Sequence, residues 1–275
     1  MRRPLLLIAL LIAAFAGFML WSAAATPVAR TLTLGIAGWP ANAQPMRLVL
    51  ISDLHVAGPE NPPARLSRVV EQVNALHPDL VLIAGDFVTE KRVATRHYDA
   101  VAAIAPLRKL RSRLGVFAVL GNHDHWLDGA SVQAALAGNG IKLLSNDAVR
   151  AGPLTIGGVD DVFTEHAKPD ETLAAMRPLG GIPILLSHSP DVFPEVPGWV
   201  PLTLAGHTHC GQIVLPFIGA LATASRYGPR YRCGVIREGA KTLVVTAGIG
   251  TSILPFRLGA PSDLWLIKVG PRPPA

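Results

Sequence analysis

Three apolar runs in this chain end in side chains of the kind that bind a cation. Leu48-Val49-Leu50-Ile51 is followed by Ser52-Asp53-Leu54-His55, Leu80-Val81-Leu82-Ile83-Ala84 by Gly85-Asp86, and Val116-Phe117-Ala118-Val119-Leu120 by Gly121-Asn122-His123-Asp124-His125. Such runs read as strands buried on both faces, and in parallel sheets ligands gather beyond the carboxyl ends of these strands. A carboxylate and an imidazole at i and i+2 can face the same way, and the pair suits a divalent cation of borderline softness. Taken singly, each block has a plainer reading: Asp53 as a loop residue beside a hydrogen-bonded His55, Asp86 as the N-cap of a following helix. Three successive strands ending this way point to a metal site, with Asn122 offering its amide oxygen and His123 able to serve as an acid.

The second half adds imidazoles. Ile182 to Ser187 reads as a strand delivering His188, with Pro190 forcing a turn, and Leu202 to Ala205 as another delivering Gly206-His207-Thr208-His209. Two histidines at i and i+2 on a tight glycine turn can reach two neighbouring cations, one each. Asp160 and Asp161 follow a strand at Leu154 to Val159, but adjacent strand residues face opposite ways, so they are read as loop or supporting residues. His77, His97 and His166 lack such company and read as surface residues.

The elements that would position these groups alternate between strand and helix. Leu66, Val69, Val70, Val73 and Leu76 repeat at helical spacing up to His77-Pro78, and Val101, Ile104 and Leu107 mark a second helix over 98–110. Lys109, Arg111 and Arg113 close that helix, where they suit its dipole. A short helix at 131–137 leads through Gly138-Asn139-Gly140 to a strand at 141–144, and closing strands are expected at 243–246 and 264–269. The chain has 275 residues, half of them apolar, which is enough for a sizeable core and excludes general disorder. Its net charge of +6 is spread without Lys/Arg runs, so no nucleic-acid partner is expected. Two cysteines, Cys210 and Cys233, exclude a disulfide framework and allow one bond in an oxidising compartment, with their pairing left open.

Arg2 and Arg3 precede an apolar run from Pro4 to Trp21 that continues in small residues to Ala25, about the length needed to cross a bilayer. Residues 1–25 are expected as a transmembrane anchor, or as a signal segment cleaved after Ala23-Ala24-Ala25. The positive pair would leave the amino end in the cytoplasm and the globular part outside. Residues 26–45 are expected as a linker with one short edge strand around Thr31 to Leu34, 46–270 as the catalytic domain, and 271–275 as a loose tail.

The blocks Asp53-Leu54-His55, Gly85-Asp86, Gly121-Asn122-His123-Asp124, His188 and Gly206-His207-Thr208-His209 together resemble the calcineurin-like metallophosphoesterase family. Ser187-His188-Ser189-Pro190-Asp191, His209-Cys210-Gly211-Gln212 and Gly248-Ile249-Gly250-Thr251-Ser252 resemble its membrane-associated bacterial phosphodiesterase branch. The resemblance spans roughly Arg47 to the end and implies an α/β, four-layer sandwich of two mixed β-sheets flanked by helices, here behind an N-terminal transmembrane helix. It implies one divalent ion on Asp53, His55, Asp86 and His209, and a second on Asp86, Asn122, His188 and His207, with Asp86 bridging. Two such ions clamp a phosphate and lower the pKa of a shared water, giving hydroxide for in-line attack on phosphorus. The mixed oxygen and nitrogen ligands suit Mn, Fe or Zn.

His123, left free by that assignment, is expected to protonate the leaving oxygen or stabilise developing charge, oriented by Asp124. Two positions depart from the family pattern. Thr89 stands where many relatives carry an acid, which puts in doubt a partner for His123 from that loop. Cys210 stands where this branch has glycine, and reads as a redox-sensitive neighbour of His209 or as a small buried residue. Arg226, Tyr227, Arg230, Tyr231 and Arg232 are expected either to grip an anionic substrate over the cleft or to form a solvated basic loop. The resulting expectation is a bacterial inner-membrane phosphodiesterase with an extracytoplasmic domain, acting on a small-molecule or lipid-linked phosphoester. The alternatives are a pyrophosphatase of the UDP-2,3-diacylglucosamine type, which an apolar groove beside the site would favour, and a non-catalytic, metal-binding membrane protein.

Overall fold

Side-chain periodicity determines the layering. The computed structural model describes residues 2–272. In chain order its elements are α1 (Arg2–Ala24), β1 (Val28–Ile36), β2 (Met46–Ile51), β3 (Ala57–Gly58), α2 (Pro63–Ala75), β4 (Leu80–Ala84), β5 (Arg96–His97), α3 (Ala100–Ile104), β6 (Val116–Val119), α4 (Asn122–Gly138), β7 (Lys142–Leu143) and β8 (Asp147–Ala151). There follow β9 (Leu154–Val159), α5 (Pro169–Met176), β10 (Ile182–Ser187), β11 (Leu202–Ala205), β12 (Val214–Leu215), β13 (Gly219–Ala220), β14 (Gly234–Glu238), β15 (Lys241–Val245) and β16 (Asp263–Pro271). One six-stranded sheet has the order β1-β16-β2-β4-β6-β7, the other β14-β15-β11-β10-β9-β8. Both mix parallel and antiparallel pairs.

Along each central strand alternate residues enter different cores. Leu48, Leu50, Leu80 and Leu82 face Ile156, Ile184, Leu186 and Leu204 across the inter-sheet core. Val49, Ile51, Val81 and Ile83 turn the other way, against Leu66, Val69, Val70 and Val73 of α2. On the outer face of the second sheet, Val159 and Leu185 meet Leu173 and Met176 of α5. The result is the four-layer sandwich expected from the sequence. Burying each such aliphatic side chain contributes about 1.5–3 kcal/mol relative to exposure. α2 opens on Pro63, whose missing N–H costs nothing at a helix start, and α3 is capped by Asp99 accepting from Ala102 N at 2.8 Å.

Several expectations need correction. Residues 26–45 are more than a linker: the edge strand expected around Thr31 to Leu34 is present but longer, β1 running nine residues and pairing with β16 along its whole length, and Leu32, Ile36 and Trp39 enter the inter-sheet core. The helix expected at 131–137 begins at Asn122 and runs to Gly138 with a break at Asp128, because its first turn is built from the motif residues themselves. Val101 is exposed, since α3 turns Ala103 and Ile104 inward. Of the expected tail, Pro271 still belongs to β16, Arg272 follows it without regular structure, and 273–275 lie outside the described residues.

Candidate metal centre

Five turns converge at the carboxyl ends of β2, β4, β6, β10 and β11, and each carries one block of the motif. β2, β4 and β6 are parallel to one another, as are β10 and β11, so each sheet delivers its polar turns to one end. His188 spans the gap between the sheets: its Nδ1 hydrogen bonds to the Ala84 carbonyl of β4 at 2.7 Å. That bond fixes the tautomer, with Nδ1 protonated and Nε2 turned toward the cleft.

The turns are conformationally demanding. Asp53, His55, Asp86, His207 and His209 all have positive φ, between 41° and 69°. Non-glycine residues in this region cost of order 1–3 kcal/mol each and persist where a site requires them. Between them the backbones approach too closely for side chains. A Cβ on Gly85, itself at φ 78°, would lie 2.7 Å from Gly121 N and 2.8 Å from His188 Nδ1, and one on Gly206 2.4 Å from Asp53 Oδ2.

All seven residues expected as ligands lie together and are buried. His55 Nε2 faces His209 Nε2 at 3.1 Å, and Asp53 Oδ1 lies 3.5 Å from His209 Nε2. His188 Nε2 is 3.0 Å from His207 Nδ1 and 3.2 Å from Asn122 Oδ1. Between these groups stands Asp86, whose Oδ2 is 3.4 Å from His55 Nε2 and 3.2 Å from His188 Nε2. Its other oxygen, Oδ1, accepts from His123 N at 3.0 Å. Among the described residues, His55 Nδ1 is buried without a hydrogen-bond partner. Imidazole nitrogens packed against one another with carboxylates between them form a poor hydrogen-bonding network and a good donor set for cations, which restore the charge balance that burial removes. The residues therefore fit divalent ions, in three overlapping groups: Asp53, His55 and His209; Asp86, His188 and His207; and His55, Asp86 and His123.

The electrostatics agree with this reading. Burial pushes Asp53 up to about 6 against the pull of His188, and it pushes His55 and His209 well below the usual imidazole range. Burial and the neighbouring His188 take His207 down to about 3. Burial alone would raise the carboxyl of Asp86 and lower His188. Their proximity reverses both, holding Asp86 well down and His188 well up. Asp86 is thus anionic with a cation already beside it, and metal would replace the proton on His188.

Asp124 does not orient His123. Its carboxylate faces backwards and accepts from the backbone N–H groups of Asp86 at 2.9 Å, Phe87 at 2.8 Å and Gly121 at 2.9 Å, so that it shapes the turn carrying Asp86. A residue three places into a helix bonds back to the turn before it, which this site uses to tie two loops together. The partner of the His123 ring is Glu90, Oε2 to Nδ1 at 2.7 Å. Sequence reasoning examined Thr89 for this role and passed over the acid beside it; an acidic residue four places after Asp86 was the available signal. Cys210 is no free thiol, since it is disulfide-bonded to Cys233. Asp160 accepts from His125 at 2.8 Å and supports α4 from the side, as a supporting residue.

Beside the ligands opens a cavity of about 440 Å³, lined at its floor by Asp86, Asn122, His123, His207 and His209 and along its walls by Trp126, Phe163, Ile213, Leu221 and Leu254. The basic segment does not reach into it. Arg226 turns to Asp191, Arg230 pairs with Glu238 at 2.7 Å, and Tyr231 is buried against Phe193.

The model of the calcineurin-like phosphoesterase family matches residues 46–217. An uncharacterized metallophosphoesterase of Bacillus subtilis, YkuE, is 33% identical over 72% of this chain and 70% of its own length. A transmembrane protein with metallophosphoesterase domain of Danio rerio is 29% identical over 95% of this chain and 62% of its own. An uncharacterized metallophosphoesterase of Helicobacter pylori is 30% identical over 82% and 60%. Against the last two, this chain spans only about three-fifths of the relative's length.

Proposed function

The chain belongs to the calcineurin-like phosphoesterase family, whose members are metal-dependent phosphoric ester hydrolases, and from that membership we propose that it hydrolyses phosphodiesters at a centre of two divalent ions. One observation carries the two-ion reading: Asp86 Oδ2 lies between His55 and His188, the imidazoles of two different groups of candidate ligands, where its carboxylate would be shared by both ions. Asp53, His55, Asp86 and His209 would hold one ion, and Asp86, Asn122, His188 and His207 the other. Mn, Fe or Zn suits this set. When bound, such ions neutralise the phosphate and make water nucleophilic near neutral pH.

The chain's own residues do the remaining work. Ser52 Oγ and His207 N, the latter at 3.0 Å, donate to Asp53 and hold its carboxylate in place. Arg257, buried among the carbonyls of Ala247, Gly250 and Ala260, fixes the loop behind His209. His123 lines the cavity, placed to pass a proton to the leaving oxygen, with Glu90 aligning its ring. The apolar walls exclude water and favour an amphiphilic substrate, which supports the second reading, a pyrophosphatase of the UDP-2,3-diacylglucosamine type. A non-catalytic metal protein would have no use for a free His123–Glu90 pair beside an open cavity.

Helix α1 is long and apolar enough to cross a membrane, and we place the domain outside a bacterial inner membrane. The disulfide supports that side, because such bonds persist in oxidising compartments. The test is hydrolysis of bis(p-nitrophenyl) phosphate by the full chain in detergent, stripped of metal and titrated with Mn. Activity that returns with metal and is absent from Asp86→Ala supports the proposal. A folded, metal-loaded chain that turns over no diester refutes the general phosphodiesterase and leaves the pyrophosphatase.

A further inference from the structure

The apolar helix and the candidate metal centre share one end of the first sheet. β16 runs antiparallel to β2, so its first residues lie beside the end of β2 that leads to Asp53. β1 is parallel to β16, Val28 in register with Asp263, so α1 also arrives at that end. No slack separates helix from domain. Arg65 donates from Nε to Ala24 O at 2.9 Å and from Nη2 to Ala25 O at 2.7 Å, Ala23 is fully buried, and Arg257 N donates to Met19 O at 3.1 Å. Met19 lies five residues before the helix ends, about 7.5 Å along its axis. The apolar span of 22 residues is about 33 Å long, close to the thickness of a hydrocarbon core, so it has no length to spare. The loop ending at Arg257 therefore lies level with the membrane-spanning part of the helix.

That loop and the hairpin beside it carry large apolar side chains in the open. Phe217 is fully exposed, and Ile218 and Ile253 are 74% and 75% exposed, with Leu221 and Leu254 beside them. Phe217 and Ile253 hold left-handed backbone, φ 66° and 57°, which is costly for any residue and most of all for a β-branched one. The two segments form one unit: Gln212 Nε2 donates to Ser252 O at 2.9 Å, Ser252 N returns a bond to Gln212 Oε1 at 2.8 Å, and Val214 N donates to Leu258 O at 2.8 Å. A continuous set of hydrogen bonds thus runs from Met19 of the helix through the loop to the hairpin. Apolar tips in strained turns, tied to a membrane helix at the depth of its last turns, fit a lipid bilayer.

We propose that the hairpin over 213–221 and the loop over 251–256 are a second membrane contact, inserted in the same bilayer as α1. The cavity, walled by Leu221 and Leu254, then opens among the lipid headgroups. Where the phosphodiesterase reading above also holds, its substrates are amphiphiles whose phosphoester lies at headgroup level. That consequence rests on the reading; the seating itself does not.

The seating is measured by a nitroxide on Phe217→Cys or Ile253→Cys of the full chain in phosphatidylcholine–phosphatidylglycerol nanodiscs, with Lys142→Cys, exposed on β7 at the edge of the first sheet farthest from β1 and α1, as the aqueous control. Cys210 and Cys233 are paired, so the added thiol alone is labelled. Labels at 217 and 253 are expected to collide with oxygen in preference to a water-soluble nickel chelate, and the label at 142 with the chelate. Chelate access at 217 and 253 equal to that at 142 overturns the proposal. Shielding from both reagents also overturns it, in favour of a second copy of the chain on this surface. Activity separates the two claims. Phe217→Ser with Ile218→Ser, neither of which lines the cavity, is expected to leave hydrolysis of bis(p-nitrophenyl) phosphate unchanged and to slow hydrolysis of hexadecyl p-nitrophenyl phosphate in the vesicle surface about tenfold. No turnover of either substrate by the unaltered chain, with the labels still in lipid, refutes the phosphodiesterase alone.

Discussion

Glu90→Gln tests whether the His123–Glu90 pair does acid chemistry. The carboxylate Oε2 is 2.7 Å from His123 Nδ1, and the side chain of Glu90 is 45% exposed. A hydrogen bond to a charged group contributes about 1.5–3 kcal/mol when buried. At this exposure solvent screening reduces it to about 1 kcal/mol. Since about 1.4 kcal/mol is tenfold in rate, kcat falls about fivefold in Glu90→Gln. Loss of the imidazole in His123→Ala removes the acid altogether and costs about 10²–10⁴. The two changes act on one proton, so the double variant is expected to match His123→Ala. The assay is kcat over a series of diesters graded by leaving-group basicity. A nitrophenolate departs with little protonation, so the loss is small for it and grows toward alkyl leaving groups. A loss equal across the series, or a further fivefold loss in the His123→Ala background, would show that Glu90 acts elsewhere, in metal binding or folding.

Three further outcomes follow from the same site. Lys91 and Glu60 form a buried ion pair joined by Thr251, whose Oγ1 accepts from Lys91 Nζ at 2.8 Å, and the three tie the turn after β3 and the loop after β4 to the loop after Gly250; Lys91→Met strands a buried carboxylate and is expected to cost about 3–5 kcal/mol in urea unfolding, with a loss under 1 kcal/mol arguing against the pair's importance. Metal binding must displace the proton from Asp53, whose carboxyl is raised to about 6, so the charged form that binds metal is lost as pH falls through 6 and affinity drops about tenfold per unit below it; His188, held protonated by Asp86, steepens that drop, and titrations at pH 5, 6 and 8 giving one affinity would contradict it. Reduction of Cys210–Cys233 opens a loop of 23 residues next to His209 and is expected to destabilise the chain by about 3 kcal/mol and to weaken metal retention, both read by thermal melts with and without dithiothreitol and chelator.

The frame, and the seven candidate ligands that the fold brings together, were legible in the sequence because both rest on strong local signals. An unbroken apolar run followed at once by Asp, Asn or His marks a buried strand and its polar end together, and five such blocks in order leave little freedom. What stayed hidden depends on contacts distant in sequence. β1 reads only as a short strand around Thr31 to Leu34, and its full nine residues are set by pairing with β16, more than two hundred residues later. Asp124 sits beside His123 in the chain, yet the first turn of α4 points it back at the Asp86 turn, so adjacency suggested a partnership that helical geometry denies. Glu90 lies in an irregular loop with no period to read, and only the fold brings it against His123. The pairing of Cys210 with Cys233 and the turning of Arg226 and Arg230 toward Asp191 and Glu238 are likewise decided by packing.

The central claim, a centre of two ions bridged by Asp86, is tested most directly by counting metal against activity. The stripped full chain is titrated with Mn, bound metal is measured by inductively coupled plasma mass spectrometry, and diester hydrolysis is followed at each point. Two ions per chain, with activity rising only as the second is bound and neither ion retained at full affinity by Asp86→Asn, is the result expected. A single ion at full activity, or two ions that bind Asp86→Asn as tightly as the unaltered chain, would contradict it.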